Sequence, residues 1–117
     1  DLSMVYDSNA LWNKEFPGNL KIVVLNDHGG GIFRLLNGPD QMAFFEKYSV
    51  TNHPVSIKLL SEAFGLQHLY ANNYDMLEAG IQTVLSAPDQ PQLLEVDTSK
   101  SENSVIFMQF FKSIQNQ

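Results

Sequence analysis

Two short stretches hold the residues best suited to chemistry. Asp1-Leu2-Ser3 opens the chain, and Asn26-Asp27-His28-Gly29-Gly30-Gly31 follows an apolar run. Asp1 and Asp27 carry hard carboxylate oxygens of the kind Mg²⁺ takes, usually beside phosphate oxygens and water. Consecutive glycines let a backbone reach positive φ and approach a ligand closely. Free N–H groups at a helix start attract anions, which favours a phosphate near Ser3. Together the two stretches describe a cradle for Mg²⁺ and a diphosphate. Each feature also has a plainer reading. A Gly-rich connection is commonly just a tight turn, and Asp at a helix start is commonly a cap. Spacing alone leaves both open.

Other chemistries find less support. His28, His53 and His68 lack metal-ligand spacing and read as loop or surface residues. Neither Gly-x-Gly-x-x-Gly nor Gly-Lys-Ser/Thr occurs. The absence of cysteine excludes disulfides, thiolate nucleophiles and Cys-ligated zinc. Thirteen acidic against seven basic residues, a net charge of −6, oppose binding to nucleic acid or anionic membrane. The longest apolar run, Ile22 to Leu25, is far below the roughly 18–20 residues that span a bilayer. No basic and apolar leader opens the chain. With 117 residues, 44% hydrophobic and 17% charged, the expectation is one cytoplasmic globular domain over 1–117.

The elements that must position the two stretches follow from pattern. Ser3 is the cap candidate for a helical segment carrying Met4, Val5, Leu11, Trp12 and Phe16, stopped by Pro17-Gly18-Asn19. Leu20 to Asn26 reads as a strand buried on both faces. Ile32 to Leu36 reads as a short helical turn, broken by Asn37-Gly38-Pro39-Asp40. Residues 41–53 are ambiguous, with Met42, Phe44, Phe45 and Tyr48 either covering a site or packing. Pro54 opens a helix with Val55, Leu59, Leu60, Ala63 and Phe64, closed by Gly65. Leu66 to Ala71 is a second strand. Asn73 caps a helix with Leu77, Ile81, Val84 and Leu85 on one face, ending before Pro88. Gln92 to Val96 is a third strand, and Ser101 caps a last helix whose Phe107, Phe110, Phe111 and Ile114 read as core. Alternating strands and helices imply an α/β fold, an open parallel sheet with helices on both faces. Three strands are few, and Asp1 leads straight into a helix, so a segment of a longer polypeptide with an open sheet edge is expected.

Recognition adds to this. Asp1-Leu2-Ser3, Tyr6-Asp7, Asn9-Ala10-Leu11-Trp12 and the run from Ile22 to Phe33 resemble the thiamine diphosphate motif, Gly-Asp-x, a long spacer, then Asn-Asn. The variant with Asp-Leu-Ser and Gly-Gly-x-Ile-Phe resembles the 2-succinyl-5-enolpyruvyl-6-hydroxy-3-cyclohexene-1-carboxylate synthase family of menaquinone (vitamin K2) biosynthesis. The resemblance is specific over 1–36 and loose beyond. Other thiamine diphosphate enzymes, of the acetolactate synthase or 2-oxoacid decarboxylase type, fit those residues less well. A non-catalytic flavodoxin-like interaction domain is the alternative from a different class.

The resemblance implies the C-terminal part of a thiamine diphosphate-binding domain. It assigns Asp1, Asp27 and the Gly29 carbonyl to Mg²⁺ or Mn²⁺. Leu2, Ser3, Asn26, Asp27, Gly29, Gly30 and Ile32 would contact the cofactor, and Ile32, Phe33, Arg34 and Leu36 the substrates. Those substrates would be 2-oxoglutarate and isochorismate, joined by a homodimer or homotetramer. The glutamate that activates the cofactor would lie in an N-terminal domain, so 1–117 alone is expected to be inactive. Asp stands at position 27 where the motif has Asn, adding a negative charge beside a diphosphate. Arg34, the sole arginine, either meets a substrate carboxylate in bidentate fashion or pairs with a surface acid.

Overall fold

A computed structural model describes residues 1–13, 15, 17–35, 43–87 and 89–115. Phe16, Leu36, Met42 and Pro88, and the breaker at 37–40, lie outside the described residues. Three parallel strands form the sheet: β1 (Lys21–Asn26), β2 (Gln67–Ala71) and β3 (Gln92–Asp97), in the order β1-β3-β2. Val23 of β1 and Leu69 of β2 both stand opposite Leu94 of the central strand. The α/β reading and the parallel sheet are therefore present.

Strand placement reverses one expectation. The apolar β1 lies at an edge, with Val23 58% and Leu25 63% exposed, so it is not buried on both faces. The more polar β3 is central and has four buried residues, Gln92 to Glu95. Its polar side chains tolerate burial because flanking strands satisfy them. Gln92 donates to Gln67 Oε1 at 2.6 Å and accepts from Lys21 Nζ at 3.0 Å. The same lysine reaches the Ala87 carbonyl and, at 2.5 Å, that of Gln90. Glu95 receives Asn26 Nδ2 at 2.6 Å, and its other oxygen lies 2.6 Å from His68 Nε2.

Adjacent β3 residues point to opposite faces, so Leu93 and Leu94, both fully buried, found two separate cores. Leu93 packs with Val24, Ile57 and Leu66, joined by Met4, Val5 and Leu11. Leu94 packs with Ala71 and Val84, joined by Leu69, Leu77 and Val96.

Helix α1 (Leu2–Tyr6) is capped by Asp1, whose Oδ1 accepts from the Leu2 N–H at 2.6 Å. Ser3 lies inside the first turn and is not the cap. The helix gives way to a 3-10 turn over Ser8–Trp12. Helix α2 (Ile57–Ala63) starts three residues after Pro54 and is capped by Ser56, which accepts from the Leu59 N–H at 3.2 Å. Gly65 closes it at φ 77°, as its lack of Cβ allows.

Asn73 caps α3 (Tyr74–Ser86) through the Met76 N–H at 3.0 Å. The buried face of α3 runs through Leu77, Gly80 and Val84, whereas Ile81 and Leu85 are exposed. Gly80 explains the rotation: a Cβ there would sit 2.8 Å from Leu94 Cδ1, so the helix approaches the sheet through its glycine.

Helix α4 (Asn103–Gln115) starts two residues beyond Ser101 and has no buried residue. Its stripe is not core. Phe107, Phe110, Phe111 and Ile114 are about half exposed, and Phe107 and Phe111 stack on each other at 4.5 Å. Helical spacing shows that a face is apolar, not that another element covers it.

Candidate functional site

The C-terminal end of β1 turns directly into the glycine loop. Asn26, 1% exposed, shapes this turn: its Nδ2 donates to Glu95 while its Oδ1 accepts the His28 N–H at 3.0 Å. His28 takes the left-handed conformation, φ 63°. The expectation that Gly29, Gly30 and Gly31 supply positive φ is overturned, since Gly65 is the one positive-φ glycine among the described residues. The loop glycines serve close approach instead. A Cβ on Gly29 would lie 2.9 Å from the Val50 carbonyl oxygen, and one on Gly30 would lie 3.1 Å from it. The Gly30 N–H donates to that same carbonyl. A Cβ on Gly31 would collide with Asp27 Oδ2.

Residue 50 ends a π-helical turn over Phe45–Val50, which buries Phe45 and Val50 and leaves Phe44 and Tyr48 exposed. Phe45 and Val50 thus pack, and neither Phe44 nor Tyr48 lines the cavity beside the loop.

Asp1 reaches the loop from the other side. Its nitrogen donates to the Leu25 carbonyl at 3.0 Å, and its Oδ2 accepts the Gly29 N–H at 2.8 Å. His53 Nε2 lies 3.1 Å from the same oxygen; the His53 side chain is 9% exposed and that of Asp1 3%. Oδ1, bonded to the Leu2 N–H, keeps a lone pair for another partner.

The histidines depart from their surface reading. His28 is exposed, but His53 lies against Asp1 and His68 against Glu95, each with a side chain under one tenth exposed. Burial lowers the His53 pKa from 6.5, and like-charge repulsion from His28 adds to it. No spacing signal in the sequence marks His53, which meets Asp1 only through the fold.

One cavity of about 1080 Å³ collects most of the expected residues. Asp1, Leu2, Ser3, Asp27, Gly29 and Gly30 line it beside Ile32, Phe33 and Arg34. Ile32 to Arg34 belong to a 3-10 turn, Gly31–Leu35. The side of the cavity missed by sequence reasoning comes from Thr98, Ser99 and α4, including Phe107 and Phe110. Asn26 does not line it and acts behind the loop. Leu36 lies outside the described residues. Arg34 is exposed, its guanidinium 5.7 Å from the Phe45 ring centre.

The residues fit a hard cation in donor chemistry. Among the described residues no group of three His, Asp or Glu side chains could hold a metal ion. The carboxylates of Asp1 and Asp27 line one cavity and are hard oxygen donors of the kind Mg²⁺ takes beside phosphate and water.

Asp97, at the end of β3, accepts from Ser99 Oγ at 2.6 Å, from the Ser99 N–H at 2.9 Å and from the Tyr70 hydroxyl at 2.6 Å. The Ser99 hydroxyl first, then the Tyr70 hydroxyl, lower its pKa to about 2. Because the folded value lies below the ordinary 3.8, this stabilisation is full above pH 3.8 and disappears as pH falls through 2. A carboxyl ¹³C titration should show a midpoint near 2, raised more by Ser99→Ala than by Tyr70→Phe. A midpoint at 3.8 in the parent would contradict the hydrogen-bond assignment.

No protein-family model matches the chain. Curated relatives do. The 2-succinyl-5-enolpyruvyl-6-hydroxy-3-cyclohexene-1-carboxylate synthase of Flavobacterium johnsoniae is 37% identical over 114 residues, 97% of this chain and 21% of that protein. The synthase of the same name from Christiangramia forsetii is 37% identical over 111 residues, 95% of the chain and 19% of the relative. That of Desulfotalea psychrophila is 44% identical over 98 residues, 82% and 18%. The chain spans about one fifth of the length of these relatives. Along nearly its whole length, the chain is homologous to 2-succinyl-5-enolpyruvyl-6-hydroxy-3-cyclohexene-1-carboxylate synthases.

Proposed function

We propose that this chain is the C-terminal part of the thiamine diphosphate-binding domain of such a synthase, and that it holds the cofactor's diphosphate through Mg²⁺ or Mn²⁺. The observation that carries this reading is the convergence of Asp1, Asp27 and the glycine loop on one cavity. Asp1, Asp27 and the Gly29 carbonyl would hold the metal. Leu2, Ser3 and Gly30 would contact the diphosphate, and the cation would offset the repulsion between two carboxylates and an anionic ligand.

When bound, thiamine diphosphate supplies the carbanion chemistry that decarboxylates a 2-oxoacid and transfers the remaining acyl unit. The chain's own residues bind and orient. Ile32 and Phe33 give an apolar wall, and Arg34 at the cavity rim suits a substrate carboxylate. The substrates would be 2-oxoglutarate and isochorismate, in a cytoplasmic homodimer or homotetramer. The relatives' printed names favour this over an acetolactate synthase or a flavodoxin-like module.

Calorimetry on the full-length protein tests the reading. Thiamine diphosphate should bind in the presence of Mg²⁺ and lose most of that affinity in EDTA. Metal-independent binding, or none, would overturn it. Consumption of isochorismate only when 2-oxoglutarate is present would separate this synthase from other enzymes of its cofactor class.

A further inference from the structure

His53 joins the two stretches that carry Asp1 and the glycine loop, both of which line the cavity. Its Nε2 lies 3.1 Å from Asp1 Oδ2, the oxygen that also accepts the Gly29 N–H. Its backbone N–H donates to the His28 carbonyl at 3.2 Å, and the two imidazoles meet edge to face at 6.2 Å. One residue therefore grips Asp1 with its side chain and the glycine loop with its backbone. Two residues earlier, Thr51 sits at φ 52°, in the left-handed region that a β-branched residue rarely enters. Such a conformation persists where surrounding contacts impose it, and these outliers gather at functional sites.

Nδ1 of the same ring is buried and has no hydrogen-bond partner. An imidazole with its proton on Nε2 explains both observations. The N–H is given to the Asp1 carboxylate, and a bare lone pair is left inside rather than an orphaned donor.

We propose that His53 is a positioning residue, donating its Nε2–H to Asp1 so that the carboxylate keeps Oδ1 directed at the cation. The proposal rests on the cofactor reading above. Hydrogen-bond partners of metal ligands hold ligand orientation, and their loss commonly lowers metal affinity about 10–100-fold.

The test is Mn²⁺ binding to the full-length protein with thiamine diphosphate, read by electron paramagnetic resonance, for the parent, His53→Leu and His53→Gln. The glutamine amide can place an N–H close to where Nε2 stands; leucine cannot. His53→Leu should weaken Mn²⁺ binding about 10–100-fold, and His53→Gln should recover most of the loss. Parent-like affinity in His53→Leu overturns the proposal, as does a His53→Gln variant no better than leucine. A parent that binds no Mn²⁺ overturns the cofactor reading itself, while parent binding that Asp1→Asn weakens and His53→Leu does not removes only the role of His53. Imidazole ¹⁵N NMR of the parent decides the matter even if a variant fails to fold. The neutral Nε2–H tautomer is the expected result, and a proton on Nδ1 alone would refute the hydrogen bond to Asp1.

Discussion

Asp27→Ala in the full-length protein is expected to weaken metal-dependent thiamine diphosphate binding by more than about 100-fold, beyond the usual loss from an outer hydrogen-bond partner. The substitution removes a carboxylate that lines the cavity. Among the described residues no separate group of three His, Asp or Glu side chains could hold the metal in its place. Asp27→Asn should behave differently. It keeps one oxygen donor and removes a negative charge that faces the diphosphate, so affinity should hold or rise. Calorimetric titration in excess Mg²⁺ gives both numbers. Parent-like affinity in Asp27→Ala would take this residue out of the site, and an asparagine variant as weak as alanine would show that the charge itself is required.

The second large effect concerns stability. Leu94→Ala should destabilise the fold by about 2–5 kcal/mol, the range for truncating a buried leucine. That is a large part of the roughly 5–15 kcal/mol typical of a domain. Leu94 is fully buried on the central strand, and the core it shares with Ala71 and Val84 is small. Gly80→Ala should also destabilise, by about 1–3 kcal/mol, since its new Cβ would meet Leu94 Cδ1 and the packing would have to yield. The helix gains on the order of 1 kcal/mol of propensity in return, which lowers the net loss. The double variant is the sharper test. Removing the Leu94 methyls creates the space that the alanine methyl needs, so the two losses should sum to less than their parts. Denaturant unfolding measures all three, and strict additivity would mean that Gly80 does not pack against Leu94 as described.

Three strands, four helices and most boundaries were legible because they rest on local chemistry. Asn73 as a cap, Gly65 as a stop and Asp27 beside the glycine loop depend on neighbours in sequence. Misplacements follow one pattern. Helix starts read at Ser3, Pro54 and Ser101 lie a few residues from those observed, because several residues near each start can cap. Hydropathy predicts burial for both the apolar stripe of α4 and the apolar run of β1, yet each has an exposed face. Hydropathy records that a surface is apolar and carries no record of which element covers it.

By itself the sequence determined the α/β class and the parallel pairing, since both depend on residue type and order, and it nominated Asp1, Asp27 and the glycine loop as a candidate cradle. Strand order was decided only by tertiary structure. The polar strand became central because Asn26, Lys21, Gln67 and His68 supply partners to Gln92 and Glu95 from either side. The role of Asn26 behind the loop and the meeting of His53 with Asp1 were decided there too. Hydrogen bonds between residues 52 and 69 positions apart have no periodicity to betray them, and they exist only once the chain has folded.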